Sequence, residues 1–259
     1  MKYRSHTSAK PSHYNAEAAN YDAFNEENSK IINQTIENIL KQHHVKTVLD
    51  LTCGTGSQVF WLTKRGYQVT GADINTNMLK IAQNKAKQEN FNVPFIKGDM
   101  RSLKIGSEFD AVITIFNAIG HLTKDDFRVA LQNIHINLKP NGFYVFDIFN
   151  LRYFLTDNNI TNLTIDWFKV DKEKKIREIQ YSTIDEDGIL ASFTTAIEQY
   201  GSSQPKMSKS SQTLQIYTAK QLQELLHQCG FKTLSQCNVD GLPFVEDKSE
   251  RILTVAQKI

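Results

Sequence analysis

Val48-Leu-Asp-Leu-Thr-Cys-Gly-Thr-Gly-Ser57 is the stretch that decides the fold. Thr47 to Leu51 has the β-branched and apolar character of a short buried strand, and the residues around Leu62 have that of a helix. Between them stand Gly54 and Gly56. Glycine carries no Cβ, so the backbone can turn sharply there and a ligand can approach it closely at the start of the helix. A dinucleotide-binding loop needs a third small residue where this chain has Val59, which weighs against a nicotinamide cofactor without closing the question.

Outward from this loop the chain alternates strand and helix patterns. Tyr67 to Ala72 reads as a second strand, Thr76 to Glu89 as a helix with Met78, Leu79, Ile81 and Ala82 on one face, and Val93 to Lys97 as a third strand. Phe109 to Phe116 is a fourth strand, Lys124 to Leu138 a helix closed by Lys139-Pro-Asn-Gly142, and Gly142 to Phe149 a fifth strand. Such alternation implies right-handed crossovers and a mostly parallel sheet covered on both faces. After Asn150 the pattern changes. Leu163 to Tyr200 reads as two or three strands turning at Asp185-Glu-Asp-Gly188, and Gly201 to Ser211 as a Ser/Lys/Pro-rich loop. Ala219 to Cys229 is helical and stops at Gly230, and Phe231 to Asn238 and Arg251 to Gln257 are the last strands. The expected division is a lid segment at 1–28, an α/β domain at 29–150 and 211–259, and a β-rich insertion at 151–210 covering a pocket.

The chain has 259 residues, enough for one large α/β domain or for one domain with an inserted cap. Thirty Lys and Arg against 28 Asp and Glu leave a net charge of +2, which argues against a broad nucleic-acid or lipid face. No apolar run approaches a membrane span and no signal peptide is evident, so a soluble, cytoplasmic protein is expected. Three cysteines without a C-x-x-C pair give neither a disulfide framework nor a zinc site, and no metal is expected. His43, His44, His6, His13, His135 and His227 belong to no constellation and read as structural or solvated.

Three further features follow the loop in order. Val69-Thr-Gly-Ala-Asp73 places an acid at the tip of the second strand, where a carboxylate can accept hydrogen bonds from ribose hydroxyls or cap the helix that starts at Asn75-Thr76. Lys97-Gly-Asp-Met100 places another after the third strand, and the fourth ends at Phe116-Asn117 beside Ala-Ile-Gly-His121-Leu. With Asp50, Thr52, Gly54 and Gly56 in the places of an Asp-x-Gly-x-Gly-x-Gly loop, the chain resembles the class I, Rossmann-like S-adenosylmethionine (SAM)-dependent methyltransferases. Gly98-Asp-Met-Arg101 and Phe116-Asn-Ala-Ile-Gly-His-Leu122 are similar to the amino-sugar N-methyltransferases; Gly120-His-Leu122 and Asp147-Ile-Phe-Asn150 are similar to the glycine and sarcosine N-methyltransferases.

The resemblance implies a doubly wound seven-stranded sheet of order 3-2-1-4-5-7-6, with strand 7 antiparallel, and SAM as cofactor. It implies cofactor contacts from Tyr21, Asp50, Thr52, Cys53, Gly54, Thr55, Gly56, Asp73, Ile74, Met78, Asp99, Met100, Arg101, Phe116 and Asn117. Asp73 would take the ribose, Asp99 the adenine amino group, and Tyr21 the methionine end. Cys53 reads as a small buried thiol, and Trp167 as a core indole. His121, just past the fourth strand, is the candidate base, because an amine must be neutral when it attacks and imidazole titrates near neutrality. The expected partner is a small-molecule acceptor, methylated at nitrogen or, failing that, oxygen. An RNA or protein acceptor fits less well, since Asn117-Ala-Ile-Gly120 stands where many base-amine methylating enzymes carry an Asn/Asp-Pro-Pro-aromatic signature. A binding protein without turnover and an NAD-linked dehydrogenase stay as competing readings. Monomer and homodimer are both open.

Overall fold

The Val48–Ser57 segment forms the expected strand and loop in a computed structural model. It describes residues 5–15, 21–156, 160, 165–170 and 174–259, of which 21–28 and 165–170 are described by backbone alone. Tyr21 and Trp167 therefore lie outside the described side chains.

Helix α1 (Tyr21–Gln42) leads into β1 (Thr47–Asp50), α2 (Ser57–Thr63), β2 (Gln68–Asp73), α3 (Thr76–Gln88) and β3 (Phe95–Lys97). Then come β4 (Phe109–Thr114), a 3-10 turn at Ala118–His121, α4 (Lys124–Asn137), β5 (Leu138–Phe149) and the short α5 (Leu151–Leu155). The insertion contributes β6 (Ile165–Val170), β7 (Lys174–Ile184), β8 (Ile189–Tyr200) and β9 (Lys206–Gln215). The chain closes with α6 (Ala219–Gln228), β10 (Phe231–Cys237) and β11 (Arg251–Lys258).

The main sheet has seven strands in the order β10-β11-β5-β4-β1-β2-β3. Counting its own strands along the chain, that is 3-2-1-4-5-7-6, and the seventh runs antiparallel to both neighbours. Period-two alternation sorts the central strands between two cores. Val48, Ala111, Ile113 and Val145 pack with Ile32, Ile36 and Leu40 of α1 and with Val59 and Leu62 of α2. Leu49, Val112, Tyr144 and Phe146 pack with Phe127, Leu131 and Ile134 of α4 and with Leu222 and Leu226 of α6. The chain reverses its winding between β1 and β4, so the carboxyl ends of β1 to β4 open on one crevice.

Two local expectations are corrected. Lys139-Pro-Asn-Gly142 does not separate helix from strand: β5 begins at Leu138, and the register slips between Phe109↔Leu138 and Ala111↔Phe143. Asn141 takes a left-handed φ of 61° there, so the stretch is an irregularity inside the strand. Gly201 to Ser211 is not a loop throughout, because β9 begins at Lys206 and pairs along β8 from Glu198↔Lys206 to Ile189↔Gln215. β9 is the edge of the four-stranded antiparallel sheet β6-β7-β8-β9, and its side chains are exposed from Lys206 to Gln212. An edge strand with little packed on either face is free to be as polar as a loop, and its lysines discourage pairing with another chain. The turn at Asp185 to Gly188 forms as expected, with Gly188 at φ 81°.

Candidate active site

The glycine loop is held from beneath by an acid on the next strand. Asp73, at the end of β2, accepts the Gly54 N–H on Oδ2 at 2.8 Å and the Asn75 N–H on Oδ1 at 2.7 Å. Burial raises its pKa even though these backbone donors favour the ionised form. Gly54 and Gly56 both sit at positive φ, 53° and 95°. A Cβ on Gly56 would stand 2.5 Å from the Phe60 ring, whereas a Cβ on Gly54 would meet nothing within 4 Å. The space beside Gly54 is therefore left for a ligand to approach the backbone.

Asp50 is 1 % exposed. Its Oδ1 accepts the Thr52 N–H at 3.3 Å and its Oδ2 has no partner. Burial first, then the nearby Asp73 charge, push its pKa up to about 8 against the pull of that one hydrogen bond. Thr52 Oγ1 and Asn117 Oδ1 are likewise buried without a partner. Buried polar atoms are ordinarily satisfied, so these three leave hydrogen-bonding capacity open at the carboxyl ends of β1 and β4. The ammonium and carboxylate of an amino-acid moiety would supply what they lack.

One cavity connects the strand ends. Thr52, Gly54, Asp73, Ile74, Met78, Asp99, Met100, Arg101, Phe116 and His121 border it. A second cavity on the other side of the loop shares Thr52, Gly54 and Phe116 and adds Cys53 and Thr55. Most residues expected at the cofactor thus border one of the two; Asp50 and Gly56 shape the loop between them, and Asn117 follows Phe116. The Cys53 thiol is buried, and burial raises its pKa further, as suits an inert side chain.

Asp99 is engaged rather than free. Arg101 Nη2 donates to its Oδ2 at 2.5 Å, and the Arg101 backbone N–H to its Oδ1 at 2.9 Å. Burial works to raise the Asp99 pKa, but the Arg101 hydrogen bonds and charge prevail and hold it below the usual carboxylate range. Phe116 and Asn117 both adopt left-handed φ, 63° and 56°, which is rare for an aromatic residue. The corner is held by Asp147, fully buried on β5, whose Oδ1 accepts the Phe116 N–H at 2.7 Å and whose Oδ2 pairs with Arg251.

The histidines hold the main departure from the sequence reading. Residues 5–15 lie across the crevice. Ala9 N–H donates to His121 O at 2.8 Å, and Asn75 Nδ2 donates to Pro11 O at 2.9 Å. His6 Nε2 donates to Leu122 O at 3.0 Å, leaving Nδ1 to accept from the Thr213 hydroxyl at 2.9 Å. His6 thus takes the structural role that was one of the two expected, whereas His13 of this strap joins a constellation, its ring 4.9 Å from that of His121. Tyr14 OH lies 2.5 Å from His121 Nε2. Burial, then the neighbouring His13 and His6, lower the His121 pKa to about 4, so its imidazole is neutral at neutral pH and accepts from Tyr14. The strap residues carried no motif; only the fold, which closes more than a hundred residues of chain, joins Tyr14 to His121.

The strand order, with the glycine loop and the strand-tip acids at one crevice, is the Rossmann-like fold shared with solved SAM-dependent methyltransferases. The sequence matches the methyltransferase domain family over residues 48–142. A putative methyltransferase of Geobacillus sp. is 34 % identical over 117 residues, covering 44 % of this chain and 47 % of that protein. Rat (Rattus norvegicus) glycine N-methyltransferase is 33 % identical over 132 residues, covering 46 % and 45 %. The chain thus spans about half the length of these two relatives. A SAM-dependent methyltransferase from Clostridium acetobutylicum superposes with a TM-score of 0.77 at 20 % identity, covering 95 % of this chain and 98 % of that one. A SAM-bound amino pentose methyltransferase from Micromonospora echinaspora does so with a TM-score of 0.68 at 16 % identity, covering 99 % and 100 %.

Proposed function

We propose that this chain transfers the methyl group of SAM to a small-molecule acceptor at an amine nitrogen. The carrying observation is that one cavity contains Asp73, Asp99 and a neutral Tyr14–His121 pair. Asp73 is assigned the ribose hydroxyls, Asp99 the adenine amino group, and Asp50, Thr52 and Asn117 the methionine end. When bound, SAM supplies an already activated methyl on a sulfonium, so the protein's task is placement and exclusion of water. The strap supplies the cover, with the insertion as the acceptor-side wall: Ala191, Phe193 and Thr213 border an adjoining cleft together with His13 and His121.

The Tyr14–His121 pair supplies the acceptor contact. With its proton given to His121, the Tyr14 oxygen keeps lone pairs to accept an amine N–H and so aims the nitrogen lone pair elsewhere, toward the methyl. An imidazole lowered to about 4 is a weak base, so His121 is assigned the anchoring of Tyr14 rather than proton abstraction. Desolvation under the strap itself favours the neutral amine.

Methyl transfer from SAM across a panel of amines, amino sugars, phenols and carboxylates, with product position read by mass spectrometry, tests the reading. Methylation at nitrogen is expected; product only at oxygen, or none with any acceptor, overturns it. Tyr14→Phe is expected to lower kcat/KM for the accepted amine by about tenfold, one neutral hydrogen bond, while S-adenosylhomocysteine affinity stays within about twofold by calorimetry.

A further inference from the structure

The strap is stitched into the capping of α4 in an unusual way. Thr123 is the N-cap residue, and its hydroxyl accepts the Asp126 N–H at 3.1 Å. In a complete capping box the acid at the third helical position would reach back to the N-cap N–H. Here Ser8 of the strap takes that place: its Oγ accepts the Thr123 N–H at 3.0 Å and donates to Asp126 Oδ2. The same Oδ2 accepts Arg101 Nη1 at 2.7 Å. Arg101 in turn grips Asp99 through Nη2 at 2.5 Å and through Nε at 3.0 and 3.1 Å to the two oxygens. An unbroken polar chain therefore runs Ser8–Asp126–Arg101–Asp99, from the lid to the adenine-side acid.

We propose that Asp126 is a positioning residue that couples strap docking to the orientation of Asp99. Two partners compete for its carboxylate. With the strap down, Asp126 faces Ser8 and Arg101, and Arg101 aligns Asp99. With the strap lifted, the Thr123 N–H loses Ser8, and Asp126 can close the capping box on it, drawing away from Arg101. This gives the site a two-state element that both the strap and the cofactor bias. Coupling of this kind is reciprocal, so a cofactor that holds Asp99 favours a closed strap to the same extent that a closed strap favours the cofactor. The inference rests on the assignment of Asp99 to adenine. Ser8 does not border the cofactor cavity, whose strap-side lining begins at Ala9.

The test perturbs one end and reads the other. Hydrogen exchange of the 5–15 segment, by mass spectrometry without ligand, is expected to quicken by about fivefold or more in Arg101→Met, a residue that makes no direct hydrogen bond to the strap, and by less in Arg101→Lys. S-adenosylhomocysteine affinity, by calorimetry, is expected to fall about fivefold in Ser8→Ala and in Arg101→Met, and no further in the double variant. Unchanged strap exchange in Arg101→Met, or losses that multiply in the double variant, overturns the coupling. Asp99→Asn separates the two ideas. If it binds S-adenosylhomocysteine as well as wild type does, the adenine assignment fails, while the ligand-free exchange result still decides whether Arg101 and the strap are linked.

Discussion

Asp73→Ala is expected to weaken S-adenosylhomocysteine binding by about 100-fold in calorimetry, near 3 kcal/mol, as befits loss of a carboxylate that accepts two hydroxyl hydrogen bonds. The carboxylate has two duties. In the proposed reading it offers acceptors to the ribose hydroxyls, and in the structure it anchors the backbone through Gly54 N–H at 2.8 Å and Asn75 N–H at 2.7 Å. The alanine variant orphans both amides, so the loop loses its set as well as the ligand its partner. Asp73→Asn keeps one carbonyl acceptor and is expected to lose about tenfold. That order, alanine worse than asparagine with both variants folded by circular dichroism, is the signature of the double duty. Affinity within about twofold of wild type in Asp73→Ala would remove the ribose assignment altogether.

Asp73 was legible in the sequence for a physical reason. An acid closing an apolar run, one crossover after a glycine loop, can be placed at a strand tip, although by itself it could as well cap the next helix; the loop and Asp99 in order give it its functional reading. The seven-strand order was implied by the family resemblance that these features carry, and the sheet has that order. What stayed hidden were contacts that no local pattern encodes. Ser8, His13 and Tyr14 sit in a polar segment without periodicity, and their meaning comes from Asp126 and His121, which the fold brings to them. Arg101 could be placed at the site from its neighbour Asp99, but its bond to Asp126 required α4 to be in position. β9 was hidden for the opposite reason. Strand patterns are written by packing, and an edge strand with exposed side chains is written by solvent, so it reads as a loop. The left-handed pair Phe116–Asn117 was equally silent, because what holds it is Asp147 on the neighbouring strand and Arg251 beyond it.

Acid is expected to destabilise the wild-type protein relative to His121→Asn by about 2 to 3 kcal/mol between pH 7.5 and pH 4.5, measured by urea unfolding at each pH. The His121 pKa falls from its ordinary 6.5 to about 4 on folding, first through burial and then through His13 and His6. Between those values the unfolded chain binds the proton and the folded one does not. Stability therefore rises with pH across that window and is lost as pH falls from about 6.5 toward 4, at about 1.4 kcal/mol per unit. His6, also lowered by burial, acts in the same sense. Asp50 acts in the opposite one: raised to about 8, it is protonated in the folded state where the unfolded carboxyl is ionised, so its contribution weakens as pH rises through that window. The two slopes offset each other in the total, and a bare wild-type profile could look flat. The difference between wild type and His121→Asn cancels the Asp50 contribution and leaves the imidazole together with its coupling to His13 and His6. A difference that does not change with pH would mean that His121 titrates normally, and that the strap does not shield the Tyr14–His121 pair from water as the proposed acceptor site requires.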